Sequence, residues 1–229
     1  MALPYYVSPE QMMADKAEYA KKGIAKGRSI VAMECSEGVL LVADNPSASL
    51  HKISEMYDRI AFSGAGKYNE FEMLRKAGIR HADLKGYTYS REDVTAKSLA
   101  NAYSQSIGTI FGTDPKPLEV EILVVEVGEG ATPNEIYRIS FDGSIIDERG
   151  VAAIGGKADA LMTYLKGRWT TPAITLRDAL RLGIEALETV TNQKLGPEGL
   201  EVAVLDRTRA GRVFRRISPS ETKSLLGSP

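Results

Sequence analysis

Two hydrophobic periodicities alternate along this chain, and they do so twice in the same order. Short apolar runs come in sets of four, and each set is followed by two long stretches with helical spacing. The first set covers 30–33, 39–42, 52–56 and 59–62. These runs are too short for helices and lack a clean alternation, the pattern of strands buried on both faces. Ser36-Glu37-Gly38 and Tyr57-Asp58 stand between partners and read as hairpin turns. Helical spacing then takes over at 67–85, through Tyr68, Phe71, Leu74 and Ala82, and at 91–111, through Ala96, Leu99, Ala100, Tyr103, Ile107 and Ile110. Ser90 to Asp93 predicts a capping box for the second of these. The next set of strands is 119–127, 136–140, 144–147 and 151–154, with Asp142-Gly143 as a hairpin turn. Helices over 157–168 and 176–192 follow, the latter capped by Thr175 and striped by Leu176, Leu180, Ile184, Leu187 and Val190.

Outside the repeat lie one more hairpin, 200–205 with 213–217, and two flanking helices. The first helix opens at Ser8-Pro9, with Gln11 completing a capping box, and ends at Gly23; its stripe, Met13, Ala17 and Ala20, predicts shallow burial. The last is capped by Ser218. Antiparallel sheets that are apolar on both faces must be covered on both faces. The expected fold class is therefore α+β, a four-layer αββα sandwich with two antiparallel sheets between helix pairs. No stretch rich in Pro, Gly or Ser divides the chain, so 1–229 reads as one unit, with a tail at 1–7, an N-terminal helix at 8–22 and a short C-terminal helix and tail at 218–229.

Composition narrows the function classes. Lys plus Arg is 29 and Asp plus Glu is 30, a formal net charge of -1. That balance argues against a dedicated nucleic-acid or membrane-surface protein. A lone cysteine, Cys35, forbids an internal disulfide and suits a reducing compartment, and with only His51 and His81 beside it no zinc signature forms. No apolar run reaches the roughly 18 residues of a membrane span, and the first residues lack the pattern of a secretory signal. The expectation is a cytoplasmic protein with no metal and no cofactor.

Three local motifs fail on inspection. Gly64-Ala65-Gly66-Lys67 follows a strand and opens a helix, but a phosphate loop needs a glycine where Ala61 stands and a hydroxyl where Tyr68 stands. Ser63, between Phe62 and Gly64, is a shadow of a nucleophile elbow without a histidine base in view. Arg207, Arg209, Arg212, Arg215 and Arg216 straddle a hairpin turn, where solvated charge is expected, and only Phe214 could serve as a stacking platform.

Larger segments carry a resemblance. Gly27-Arg28-Ser29-Ile30-Val31, then Glu37 to Ala43, then Lys52-Ile53, then Phe62-Ser63-Gly64, all behind an N-terminal helix, resemble the α-type subunit of the 20S proteasome along essentially the whole chain. The opening Tyr6-Val7-Ser8-Pro9-Glu10, with Asn45-Pro46-Ser47 and the stretch from Ile53 to Arg59, is similar to the actinobacterial version. The resemblance implies the sandwich of N-terminal-nucleophile hydrolases. It implies a seven-membered ring of α subunits, two such rings capping two β rings with fourteen subunits of each kind, and a ring ATPase docked on the outer face for degradation of tagged proteins.

Catalytic β-type relatives use a freed N-terminal threonine supported by a carboxylate and a lysine. Similar side chains are present here as Asp44 and Lys52, but the segment before the first strand ends Lys26-Gly27-Arg28, with no Gly-Thr junction. No catalytic residue is expected. The rival reading is an active amidohydrolase using Ser29 after self-cleavage at Arg28; a second rival is a self-assembling shell without a β partner. The resemblance further implies that the N-terminal tail gates the pore. The Tyr-Asp-Arg motif of most α-type tails is missing, so the gate would close by packing of Leu3, Tyr5 and Tyr6. It also implies that Lys52 and Gly64 bind the C-terminal tail of the activator, the lysine taking its carboxylate and the glycine allowing close approach.

Overall fold

The computed structural model describes residues 7–227. Helix α1 (Pro9–Ala25) leads into the hairpin β1 (Ile30–Cys35) and β2 (Gly38–Asp44), then into β3 (Ile53–Tyr57) and β4 (Ile60–Gly66). Helices α2 (Tyr68–Thr88) and α3 (Ala96–Thr113) follow, then β5 (Val120–Glu126), β6 (Glu135–Ile139), β7 (Ile145–Glu148) and β8 (Val151–Ile154). Helices α4 (Ala158–Lys166) and α5 (Leu176–Thr191), strands β9 (Leu200–Asp206) and β10 (Phe214–Ile217), and α6 (Pro219–Gly227) complete the order. This is the element order and the αββα layering expected from the sequence.

The two sheets do not follow the two halves of the repeat. One has the order β10-β9-β2-β1-β8 and the other β3-β4-β5-β6-β7, every pairing antiparallel. The chain changes sheet between β2 and β3, so the segment 45–52 bridges the layers at one end of the sandwich. Alternate residues explain why each strand is apolar throughout. Ile30 and Ala32 join Leu41, Ile53, Ala61, Leu123 and Ala203 between the sheets. Their neighbours Val31 and Met33 join Leu161, Leu180 and Leu187 under α4 and α5. Phe62, Ile122 and Val124 pack outward on Phe71, Leu99 and Ile107 of α2 and α3. Burying each such Val, Leu, Ile or Phe side chain contributes about 1.5–3 kcal/mol. The inter-sheet layer is rich in alanine, which lets the sheets approach closely.

Helix boundaries differ from the sequence reading in instructive ways. α1 runs through Gly23 and ends two residues later, at Ala25, because Gly23 serves a close approach: a Cβ there would lie 2.3 Å from Glu119 Oε1. Its buried stripe is Lys16, Ala20 and Ile24, with Met13 exposed. Lys16 buries its stem and donates from Nζ to the Phe111 carbonyl at 3.1 Å. Ser8 caps the helix, accepting from Gln11 N at 3.2 Å, but the Gln11 side chain turns to Asp15 and leaves the box half made. The stretch 91–111 is broken: Val94 is extended, and Thr95 with Ser98 forms the capping box of α3. Ser90 caps only a short 3-10 turn, Arg91–Asp93. α5 stops at Asn192 in the left-handed region, φ 54°.

Candidate functional site

The start of β1, the end of β2, the start of β3 and the end of β4 gather at the end of the sandwich that α1 crosses. The segment between α1 and β1 lies across this end. Arg28 donates from Nη1 to Asp44 Oδ1 at 2.7 Å, with Asp44 buried and the guanidinium half exposed. Ser29 is only 4% exposed, and its carbonyl accepts from Asp44 N at 3.1 Å. Lys52 reaches across from just before β3 and donates from Nζ to the Arg28 carbonyl at 2.8 Å. Among the described residues, no carboxylate lies within ion-pair distance of that ammonium. Burial lowers its pKa to about 8; Asp44 opposes the shift, Arg28 adds to it and Glu201 opposes it.

Lys52 and Gly64 are brought together, since Gly64 N donates to the Lys52 carbonyl at 3.1 Å. Gly64 is buried, however, and a Cβ there would sit 2.7 Å from Phe71 Cγ. The missing side chain accommodates the α2 ring; it opens no path to the surface. Leu3, Tyr5 and Tyr6 lie outside the described residues.

The residue that sequence reasoning missed is Glu201. It sits on β9 in an otherwise apolar run and is 8% exposed. Its carboxylate accepts from Lys52 N at 2.7 Å, Ile53 N at 3.2 Å and Asn45 Nδ2 at 2.8 Å, and pairs with Arg216. A signal existed: a carboxylate inside a strand buried on both faces must find donors or pay a large desolvation cost. Arg28 was passed over because its partner, Asp44, is distant in sequence.

The discarded motifs resolve structurally. Lys67 faces Glu70 at 3.6 Å and Glu119 at 3.7 Å, so this loop presents carboxylates to any phosphate. Ser63 is fully buried in mid-sheet, out of reach of a substrate. Within the arginine cluster, Arg212 pairs with Glu55, Arg215 with Glu221 and Arg216 with Glu201. Among the described residues, no His, Cys, Asp and Glu group could hold a metal, and no helix is long and apolar enough to cross a membrane.

A family model described as a proteasome subunit matches residues 24–205. The "Proteasome subunit alpha" of Thermomonospora curvata is 54% identical over 227 residues, covering 99% of this chain and 98% of its own length. That of Kineococcus radiotolerans is 52% identical, covering 99% and 98%, and that of Streptomyces avermitilis 53% identical, covering 99% and 91%.

Proposed function

Because the chain belongs to the proteasome subunit family, as an α-type member of the actinobacterial kind, we propose that it is a non-catalytic subunit of the 20S core. It forms the seven-membered outer rings that flank the catalytic β rings, acts in the cytoplasm as a single unit over 1–229, and docks a ring ATPase for degradation of tagged proteins. Residues 1–7 serve as the gate, through Leu3, Tyr5 and Tyr6.

The observation that carries this reading is the state of the Arg28–Asp44–Lys52 constellation. In an N-terminal-nucleophile enzyme, the carboxylate and the lysine would serve a free terminal residue. Here Asp44 is committed to the Arg28 guanidinium, Lys52 to the Arg28 carbonyl, and Ser29 is buried and internal. The same commitments speak against the amidohydrolase reading. What remains is a half-buried ammonium held by a neutral carbonyl, a donor suited to an incoming carboxylate. Gly64 supports it through the backbone.

Lys52→Ala in particles assembled with a β partner should weaken activator binding by about one to two orders of magnitude, the equivalent of a charge-assisted hydrogen bond of roughly 1.5–3 kcal/mol. Ring assembly and basal peptide hydrolysis should persist. Unchanged activator affinity would remove Lys52 from the docking site. Deleting residues 3–7 should speed peptide entry into the same particles; equal rates in intact and truncated particles would refute the gate.

A further inference from the structure

Resting on that docking reading, we propose that Glu201 is the positioning residue for Lys52: its buried carboxylate fixes the backbone from which the Lys52 side chain projects and supplies negative charge facing its ammonium. The Glu201 carboxylate holds both ends of the bridge between the sheets, 45–52. Oε2 accepts from both Lys52 N and Asn45 Nδ2. Asn45 in turn donates to the Leu50 carbonyl at 2.8 Å and accepts from Ser47 N at 3.2 Å, and Ser47 Oγ accepts from Leu50 N at 3.0 Å. Oε1 accepts from Ile53 N, pairs with Arg216 and lies 3.3 Å from His51 Nδ1. Arg216 also donates to the Ile53 carbonyl. Both peptide groups that flank the Lys52 Cα are thus tied to β9, the Ile53 carbonyl is tied to β10, and the direction of the Lys52 side chain follows from them.

The charge matters as well as the geometry. The groups facing the ammonium are Arg28 from the α1–β1 segment, Asp44 from β2 and Glu201 from β9. Asp44, although paired with Arg28 at 2.7 Å, opposes the desolvation of Lys52 most, and Glu201, itself paired with Arg216, adds a smaller opposition from the other side. Glutamine at 201 would remove the charge and place an amide N–H₂ where Lys52 N or Asn45 Nδ2 now donates, so donor would meet donor.

The test uses assembled particles carrying Glu201→Gln, Glu201→Asp, Lys52→Ala and the double variant Glu201→Gln/Lys52→Ala. One readout is the pH midpoint of Lys52 acetylation by an N-hydroxysuccinimide ester, followed by peptide mass spectrometry. The other is the affinity of a synthetic peptide ending in Leu-Tyr-Ala, after the hydrophobic-tyrosine-any-residue tail that the resemblance implies for the activator, with a free carboxylate, against the same peptide as an amide. Glu201→Gln should lower the midpoint and weaken the carboxylate peptide about tenfold. Glu201→Asp, which keeps the charge, should restore most of the midpoint. The double variant should bind no worse than Lys52→Ala, as expected for two residues acting through one contact. An unmoved midpoint, or a loss of affinity that is undiminished in the Lys52→Ala background, overturns the positioning role. If the wild-type particle does not prefer carboxylate over amide, the docking reading fails, and the acetylation midpoint still decides whether Glu201 governs Lys52.

Discussion

The two ends of the sandwich handle charge in opposite ways. At the end away from α1, charged groups close on one another in the open. Arg91 pairs with Asp58 and Arg212 with Glu55, with the arginines about 70% exposed. Glu34, more enclosed, is satisfied by Gly150 N and Asn134 Nδ2, both at 2.9 Å, and its carbonyl by Trp169 Nε1. At the end that α1 covers, the carboxylates are buried, and the cation that reaches between the sheets rests on a backbone carbonyl. Solvated, paired charge contributes about 0–1 kcal/mol per pair and decides little. A partly buried cation without a carboxylate partner costs desolvation energy, and such perturbed groups cluster at functional sites. This contrast supports the proposal that docking belongs to the end that α1 covers.

The largest effects should be equal at both ends, because the backbone itself is tightest there. Gly38, at the β1–β2 turn, has φ +146° and would place a Cβ 2.0 Å from the Leu205 carbonyl oxygen. Gly66, at the end of β4, has φ +101° and would place one 2.0 Å from the Glu119 carbonyl oxygen. Gly38→Ala and Gly66→Ala should each cost about 3 kcal/mol or more in denaturant unfolding, since neither backbone carbonyl can yield. A loss below about 1 kcal/mol at either site would mean that strand end is soft.

Next in size, the ends should part company. Asp44→Asn removes a buried carboxylate from Arg28 and should cost about 1–3 kcal/mol. Asp58→Asn removes an exposed one from Arg91 and should cost less than about 1 kcal/mol, shrinking further in high salt. Equal costs in the same unfolding assay would erase the distinction drawn between the ends.

The smallest effect sharpens it. The docking proposed for Lys52 needs the ammonium, and burial has brought its pKa from 10.5 down to about 8. Activator affinity should be full below pH 8 and fall up to about tenfold per unit above it. Folding runs the other way: between pH 8 and 10.5 the unfolded chain holds the proton that the folded chain has released, so the contribution of Lys52 to stability rises with pH. Both slopes should vanish in Lys52→Ala, whereas Arg212→Ala at the far end should leave the affinity profile unchanged. A wild-type affinity that is flat from pH 7 to 9 would contradict the burial of this amine.

Much of the fold was legible because it is written in local periods. Runs such as Val39 to Val42, apolar at every position, say that both faces of a strand are covered, and the stripe from Leu176 to Leu187 says which side of α5 is inward. Boundaries were less legible where a contact distant in sequence decides them. Glu119 accepts the approach of Gly23 and lets α1 continue, and Thr95 outcompetes Ser90 as the cap of α3 because the backbone at Val94 turns extended to meet it. At the candidate site, Lys52 and Gly64 were named from the resemblance, while the contacts of Arg28 and Glu201 could not be read along the chain, since their partners lie 16 and 149 residues away.

The sequence by itself determined the layers, the order of elements and the family, because hydrophobic period, turn chemistry and motif residues are properties of neighbours along the chain. Only the tertiary structure decided that the repeat in order is not a repeat in sheets, that Gly64 is glycine for the sake of Phe71, and that Lys52 meets a carbonyl while Asp44 meets a guanidinium. Strand pairing and charge pairing bring together groups far apart in the chain, and the free energy of a buried charge depends on which of them lie within hydrogen-bonding distance of it.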